Sequence, residues 1–333
     1  MSPAKHSRHK RTVAIASGKG GVGKTVITAN LALGLAQQFP EGSVVGVDLD
    51  LGCGNLNSCL GVRTPNGTIN NFLQKKTSDL SSLLTPTERS NLRMISSSYS
   101  GTPEVALDYA QKRELVGSVN ALEADFVLVD LGAGTSADVL DFFLGANEKI
   151  VVITPESLAL HNAFVFLKTA IVHFLWRELD REGFLASVKT KLKEMLDEQT
   201  DLDIGRLIDR VRMWDRYAAY VLTGLIDEFK INIVVNMYRG GPEKAHLRRF
   251  HQLLFRYLHV RSNLRYLGFV HFDRGVQQSV QAVEPFLLRH PDNRAAKDFI
   301  QLAERFSNDK GLDDTPPLQF PRRFPSWVPE FLG

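Results

Sequence analysis

Gly18-Lys19-Gly20-Gly21-Val22-Gly23-Lys24-Thr25 is the stretch whose residue types could do chemistry, and the chemistry is phosphate binding. Its spacing is G-x-x-x-x-G-K-[ST]. Glycines let the backbone curl until successive N–H groups converge on phosphate oxygens, where a Cβ would obstruct both the φ values and the close approach. The following helix adds its positive end, Lys24 a mobile cation, and the Thr25 hydroxyl a ligand for Mg²⁺. Gly20, Gly21, Val22, Gly23, Lys24, Thr25 and Val26 are therefore the candidate nucleotide cradle. Two further acidic stretches could complete such a site: Asp48-Leu49-Asp50, with carboxylates two residues apart, and Asp130 at the end of the apolar run Phe126-Val127-Leu128-Val129. An apolar strand ending in aspartate can reach Mg²⁺ through water. An Asp at a strand end is also a common turn or capping residue.

These groups need elements that hold them. Thr12 to Ala16 reads as a short buried strand, and Val26 to Ala36 is apolar at helical spacing, so the glycine loop lies between strand and helix. Further buried strands are expected at Ser43 to Asp48, Leu92 to Ile95, Asp125 to Asp130, Glu148 to Thr154 and Ile231 to Asn236. Helices are expected at Pro103 to Leu122, Asn162 to Phe174, Glu243 to Val260 and Asn293 to Phe306. This alternation predicts an α/β fold: a doubly wound, mostly parallel sheet with helices on both faces and the ligand site at the C-terminal edge of the strands.

The loop carries a second lysine, Lys19, which an ordinary phosphate loop does not need. Lys19 to Thr25 reads K-G-G-x-G-K-T and resembles the deviant Walker A ATPases, the MinD, ParA and FlhG group, within the P-loop NTPases. The resemblance implies ATP/ADP and Mg²⁺ as ligands, an ATP-dependent homodimer, and a Lys19 that reaches across the dimer to the partner's nucleotide; a solvated surface lysine is the plainer alternative. Asp48 to Asn55 is similar to the family's D-x-D-x-G-x-x-N segment, which implies Asp48 near the metal and Asp50 orienting the attacking water. Asp130 to Gly134 resembles the D-x-x-A-G switch that senses the terminal phosphate, and Thr154-Pro155-Glu156 the T-P-E that follows. Asn236 takes the position that hydrogen-bonds adenine in MinD-like relatives. Leu267 to Val276 is similar to L-G-x-I-P-x-D-x-x-V, the segment with Asp273 that completes the adenine pocket, but His271 stands where proline is usual. The implied catalytic set is Lys19, Lys24 and Asp50, with Thr25, Asp48 and Asp130 around the metal.

Composition bounds the reading. With 333 residues and 44% hydrophobic content the chain can bury a sizeable α/β core. A net charge of +3 is too small to indicate nucleic acid by itself. Two cysteines, Cys53 and Cys59, form no scaffold and no C-x-x-C pair, which makes a structural role more fitting than the iron–sulfur role of some loop relatives. No apolar run is read as approaching the roughly 18 residues of a membrane span, and the basic Ser2 to Arg11 lacks the apolar core of a signal peptide. A cytoplasmic protein is expected, with peripheral contact at the inner face of the membrane or the cell pole.

Residues 1–11 read as a disordered basic lead, 12–310 as the ATPase domain, and 311–333 as a tail whose five prolines forbid the continuous amphipathic helix common in MinD and FlhG. The tail's Phe320, Phe324, Trp327 and Phe331 could dock on its own domain or on a partner. Residues 176–228 depart from the family and read as a helical elaboration of mixed charge. The helix from Glu243 carries Lys244, Arg248, Arg249 and Arg256 opposite an apolar seam, a face that is solvated or meets DNA or anionic lipid. His161 is either a partner contact or a polar residue opening a helix. Function is expected to be ATP hydrolysis that times an assembled dimer and so controls the placement or number of a cellular structure, with an activating or cargo protein. The rivals are a DNA-associated partition ATPase, an iron–sulfur relative, and a scaffold that binds nucleotide without turnover.

Overall fold

The structure is a computed structural model and describes residues 10–52, 54–97, 107–181, 190, 194, 203–258 and 263–308. Its centre is an eight-stranded sheet in the order β3-β4-β2-β5-β1-β6-β7-β8. The strands are β1 (Arg11–Ser17), β2 (Val44–Leu49), β3 (Thr85–Pro86), β4 (Leu92–Ile95), β5 (Phe126–Ala133), β6 (Glu148–Ile153), β7 (Ile231–Tyr238) and β8 (Leu264–His271). All neighbours are parallel except the two-residue edge strand β3, which runs antiparallel to β4. The doubly wound, mostly parallel sheet expected from the sequence is the one observed.

The central strands are buried on both faces, which is why they read as continuous apolar runs rather than alternating ones. One face is covered by α1 (Lys24–Gln38) and α12 (Arg294–Ser307), whose Leu31, Leu35, Phe299 and Ala303 pack over Val13, Ile15, Leu128 and Val234. The other face is covered by α4 (Tyr109–Ala121), α5 (Ala137–Gly145), α6 (Ser157–Arg181), α7 (Ile204–Trp214), α8 (Arg216–Glu228) and α9 (Glu243–Leu258). Short helices α2 (Leu56–Cys59) and α3 (Ile69–Leu73) fill the segment before β3, while α10 (Arg274–Ala282) and α11 (Phe286–Arg289) lead from β8 into α12.

Several boundaries differ from the sequence reading, each for a local reason. Helix α4 starts at Tyr109 because Asp108 caps it: its carboxylate accepts from Gln111 N at 2.8 Å, and the Gln111 side chain accepts from Asp108 N at 3.0 Å. The first residues expected of that helix, 103–106, lie outside the described residues. Helix α6 begins at Ser157, directly after Thr154-Pro155-Glu156, so His161 stands within the helix and does not open it. The stretch Ser157–Glu178 is, by length and composition, long and apolar enough to cross a membrane, which corrects the sequence expectation. About half of it is buried inside the fold, where Phe166, Leu167, Ala170 and Ile171 face the core.

Lys10 and Arg11, read from the sequence as the end of the basic lead, are held by the fold. Lys10 Nζ donates to the carbonyls of Val119, Asn120 and Leu122 at the C-terminal end of α4, where helix carbonyls favour a cation. Arg11 pairs with Glu148, and its guanidinium lies 4.2 Å from the Phe306 ring centre. The remainder of the lead and the 311–333 tail lie outside the described residues.

Close approach of α1 to α12 is decided at Gly34, where a Cβ would fall 2.8 Å from Ala303 Cβ. Gly34→Val should therefore push the two helices apart and cost about 1–3 kcal/mol by overpacking. Urea unfolding checks this; an unchanged midpoint would show that the contact yields freely.

Candidate nucleotide-binding site

The glycine loop leaves the C-terminal end of β1 and enters α1 through Gly23, whose φ of 82° is left-handed, as is the 80° of Gly21. No acidic residue occupies the first turn of α1, so the positive end of the helix is uncompensated by its own sequence. The loop is fixed from two sides. A Cβ on Gly18 would sit 2.2 Å from the Asn162 carbonyl oxygen of α6, and one on Gly23 would sit 2.2 Å from Asn236 Nδ2. That same nitrogen donates to the Val22 carbonyl at 2.8 Å. Over Gly20 and Gly21 the space is open, with nothing within 4 Å of where a Cβ would lie.

Strand β5 lies between β1 and β2, and its end carries the residue on which the site converges. Asp130 is fully buried. Its Oδ1 accepts from Lys24 Nζ at 2.9 Å and from Thr28 Oγ1 at 3.0 Å, and its Oδ2 accepts from Thr25 Oγ1 at 2.7 Å. Parallel pairing of β2 with β5 sets Asp48 directly beside Asp130. Asp48 is also fully buried, and its carboxylate accepts from the backbone N–H groups of Asp50 and Leu56, both at 3.1 Å. Burial, followed by the neighbouring charge of Asp130, pushes the Asp48 carboxyl up to about 7 against the opposing pull of those N–H groups and Lys24. Asp50 is a quarter exposed, with Oδ2 3.9 Å from Lys24 Nζ. Lys24 thus stands between three carboxylates while being 6% exposed.

Lys19 is half-buried; its carbonyl accepts from Ser17 Oγ at 3.0 Å, and among the described residues its ammonium has no ion-pair partner. The segment after Asp130 is tied to the loop strand, since Gly134 N donates to the Ser17 carbonyl at 3.0 Å. Asp273 stands immediately before α10. It caps α10, accepting from Gly275 N at 2.6 Å and from Asn293 Nδ2 at 3.0 Å. His271 is held between Asp298, 2.8 Å from Nδ1, and Arg294, 2.7 Å from Nε2. Because an arginine can only donate, Nε2 accepts and the ring proton sits on Nδ1, facing the carboxylate.

Three contributors were not singled out from the sequence. Thr28 reaches Asp130 because it lies one turn beyond Lys24, a helical spacing visible in the chain. Gly54 must be glycine: a Cβ there would fall 1.8 Å from Ser97 Oγ and 2.4 Å from Asp48 Oδ2. Asn162 acts through its backbone and leaves no sequence signal. Cys59 is buried, and its thiol is pushed up to about 12 by burial and then by the Asp130 and Asp48 charges. Cys53 lies outside the described residues. Among the described residues no group of three or more His, Cys, Asp or Glu side chains forms an all-protein metal cage.

Comparison with known proteins follows the same division. Residues 8–170 match the family ParA, described as NUBPL iron-transfer P-loop NTPase. The septum site-determining protein MinD of Synechocystis is 32% identical over 234 residues, covering 70% of this chain and 81% of that protein. The chain belongs to the MinD/ParA family of P-loop NTPases. The septum site-determining protein MinD of Helicobacter pylori is 36% identical over 154 residues, 45% of this chain and 55% of that protein. The flagellum site-determining protein YlxH of the same organism is 33% identical over 162 residues, 47% of this chain and 52% of that protein. These two matches span about half the length of the relatives concerned. Among solved structures, MinD from Pyrococcus horikoshii complexed with Mg-ADP superimposes with a TM-score of 0.59 at 22% identity, covering 90% of this chain and 96% of that one. The MinC:MinD cell division complex of Aquifex aeolicus gives 0.58 at 18%, covering 93% and 99%. At these identities the likeness is one of fold.

The buried pair predicts a pH dependence. With its pKa raised from the ordinary 3.8, Asp48 contributes stability that is fully present below that value and lost as pH rises through about 7. Without nucleotide, urea unfolding between pH 5 and pH 8 should show declining stability, with a smaller decline in Asp48→Asn. Equal slopes for both proteins would assign the dependence to other groups.

Proposed function

We propose that this chain is an ATP-dependent, dimerising switch that hydrolyses ATP with Mg²⁺ and controls the placement or number of a cellular structure. The observation that carries the reading is the convergence of Lys24, Thr25 and Thr28 on Asp130 within 3.0 Å at the N-terminus of α1. A triphosphate and Mg²⁺ suit these residues: open space lies over Gly20 and Gly21, and the Thr25 hydroxyl and Asp130 carboxylate are adjacent oxygen donors. The relatives named as septum and flagellum site-determining proteins support the biological direction.

Thr25 would hold the metal directly, with Asp130 and Asp48 behind it; when bound, Mg²⁺ neutralises charge on the phosphates. Lys24 and the loop N–H groups orient the triphosphate. Asp50, the most exposed of the three carboxylates, orients the water that attacks the terminal phosphorus as the bond to ADP breaks. Lys19, without an ion-pair partner among the described residues of its own subunit, supplies a cation to the nucleotide of a second copy. Phosphoryl transfer depends mainly on positioning and electrostatics, so hydrolysis would wait for dimerisation. Asn236, whose amide braces the Val22 carbonyl, would meet the adenine. The switch would act in the cytoplasm, at the inner face of the membrane or the cell pole, with an activating or cargo protein. Iron transfer, the activity in the matching family's description, is less well supported: Cys59 is a desolvated thiol with its pKa near 12, and no C-x-x-C is present.

Lys24→Ala should weaken nucleotide binding by about a hundredfold or more. Lys19→Ala should bind nucleotide normally and fail to dimerise with ATP, whereas Asp50→Ala should remain dimeric with ATP because hydrolysis stops. Light scattering of each variant with ATP and with ADP, beside a phosphate-release assay, decides. A Lys19→Ala protein that dimerises as the parent does would remove the cross-subunit role, and absent phosphate release in the parent would leave a binding scaffold.

A further inference from the structure

Helix α8 turns aromatic side chains to water. Tyr217 and Tyr220 on it are 70% and 77% exposed, and Met213, in the last turn of α7 just before it, is 83% exposed. Tyr217, Tyr220 and Gly224 stand at i, i+3 and i+7, so they share one outward face. Gly224 leaves a notch in that face, since nothing lies within 4 Å of where its Cβ would be. Glycine weakens a helix interior relative to alanine, and no neighbour among the described residues calls for it here. At the end of the same helix Asp227 and Glu228 are exposed and, among the described residues, have no ion-pair partner.

The C-terminal segment leaves the fold close to that helix end. Arg265, near the start of β8, donates to the Arg305 carbonyl in the last turn of α12 at 2.6 Å. Asn263, two residues before Arg265, donates to the carbonyls of Ile226 and Phe229, where α8 ends. One arginine side chain and a few residues thus bridge from the end of α12 to the end of α8, a gap of about 20 Å. Residues 309–319 in polyproline II conformation span about 34 Å, which is enough to cross it.

We propose that the outer face of α8 is the docking site for residues 320–328 of the same chain, which lie along it as a polyproline II segment running antiparallel to the helix. That conformation has three residues per turn, so Pro321, Phe324 and Trp327 fall on one side, about 9 Å apart. Gly224 and Tyr217 are separated by about 10 Å along the helix axis. The spacings match: Phe324 seats in the Gly224 notch beside Tyr220, and Trp327 lies against Tyr217 and Met213. Arg322 and Arg323 then come to Asp227 and Glu228, whereas the reverse direction would set them against the exposed Arg216 at the other end of the helix. Exposed aromatic rings suit a proline-rich segment, because its backbone is already extended and loses little entropy on docking. This face lies by the N-terminal ends of β7 and β8, away from the phosphate loop, and no residue of the nucleotide site takes part.

The test uses the full chain with Trp327 replaced by the photoreactive p-benzoylphenylalanine, irradiated without nucleotide; digestion and mass spectrometry then locate the cross-link. It should map to residues 213–220 of the same chain, in a product that migrates as one chain and whose yield does not depend on protein concentration. Most of that yield should be lost in Gly224→Leu, which fills the notch while favouring the helix, and in Asp227→Lys combined with Glu228→Lys. Adding Arg322→Glu and Arg323→Glu to the charge-reversed helix should restore it. Nucleotide affinity should be unchanged in all of these variants, so this inference and the ATPase reading fail separately. Cross-links to another surface, cross-links between chains that grow with concentration, no cross-link at all, or full yield in Gly224→Leu and in the charge-reversed helix would overturn the proposal.

Discussion

One buried carboxylate governs the architecture of this site. Asp130 lies at the end of a central strand where no water reaches it, and an ionised carboxylate in such a place is tolerated only with donors around it. It has three: the ammonium of Lys24 and the hydroxyls of Thr25 and Thr28. All three come from the first two turns of α1, so satisfying the charge fixes how the helix sits over the sheet. The glycine loop must then span the gap between β1 and that helix in the one shape its left-handed glycines permit.

The strand order makes the constraint cooperative. Because β5 lies between β1 and β2, the phosphate loop and both acidic ends emerge on neighbouring strands at one edge of the sheet. Parallel pairing then sets Asp48 beside Asp130 in register. Burial there disfavours the charge on Asp48 and the neighbouring Asp130 adds repulsion, and the raised Asp48 pKa is the result. Lys24 lies close to that pair and to Asp50, which makes it a structural counter-ion as well as a phosphate ligand. A site arranged around one shared cation responds to any ligand that competes for it, a property suited to a switch.

Much of this was readable in the chain. The phosphate loop, the strands ending in Asp48 and Asp130, and the alternation of strand with helix all depend on local spacing, and local spacing is what a sequence displays. Other features were not. Whether the helix after Pro155 starts at Ser157 or five residues later depends on what its first turn packs against. Lys10 looks like part of a solvated lead until the carbonyl ends of α4 arrive beside it from over a hundred residues away. Asp273 carries a family motif yet spends both oxygens on capping α10 and holding Asn293, an arrangement that requires α12 to fold back along β8.

The sequence by itself determined the class of ligand, the α/β architecture and the residues able to meet a phosphate, since glycine spacing, apolar runs and terminal aspartates act through their immediate neighbours. Only the tertiary structure decided which carboxylate is shared, which glycines are crowded and which helix faces remain open. Those outcomes depend on strand order and on contacts between residues far apart in the chain, where burial sets the cost of a charge and a fraction of an ångström decides whether a side chain fits.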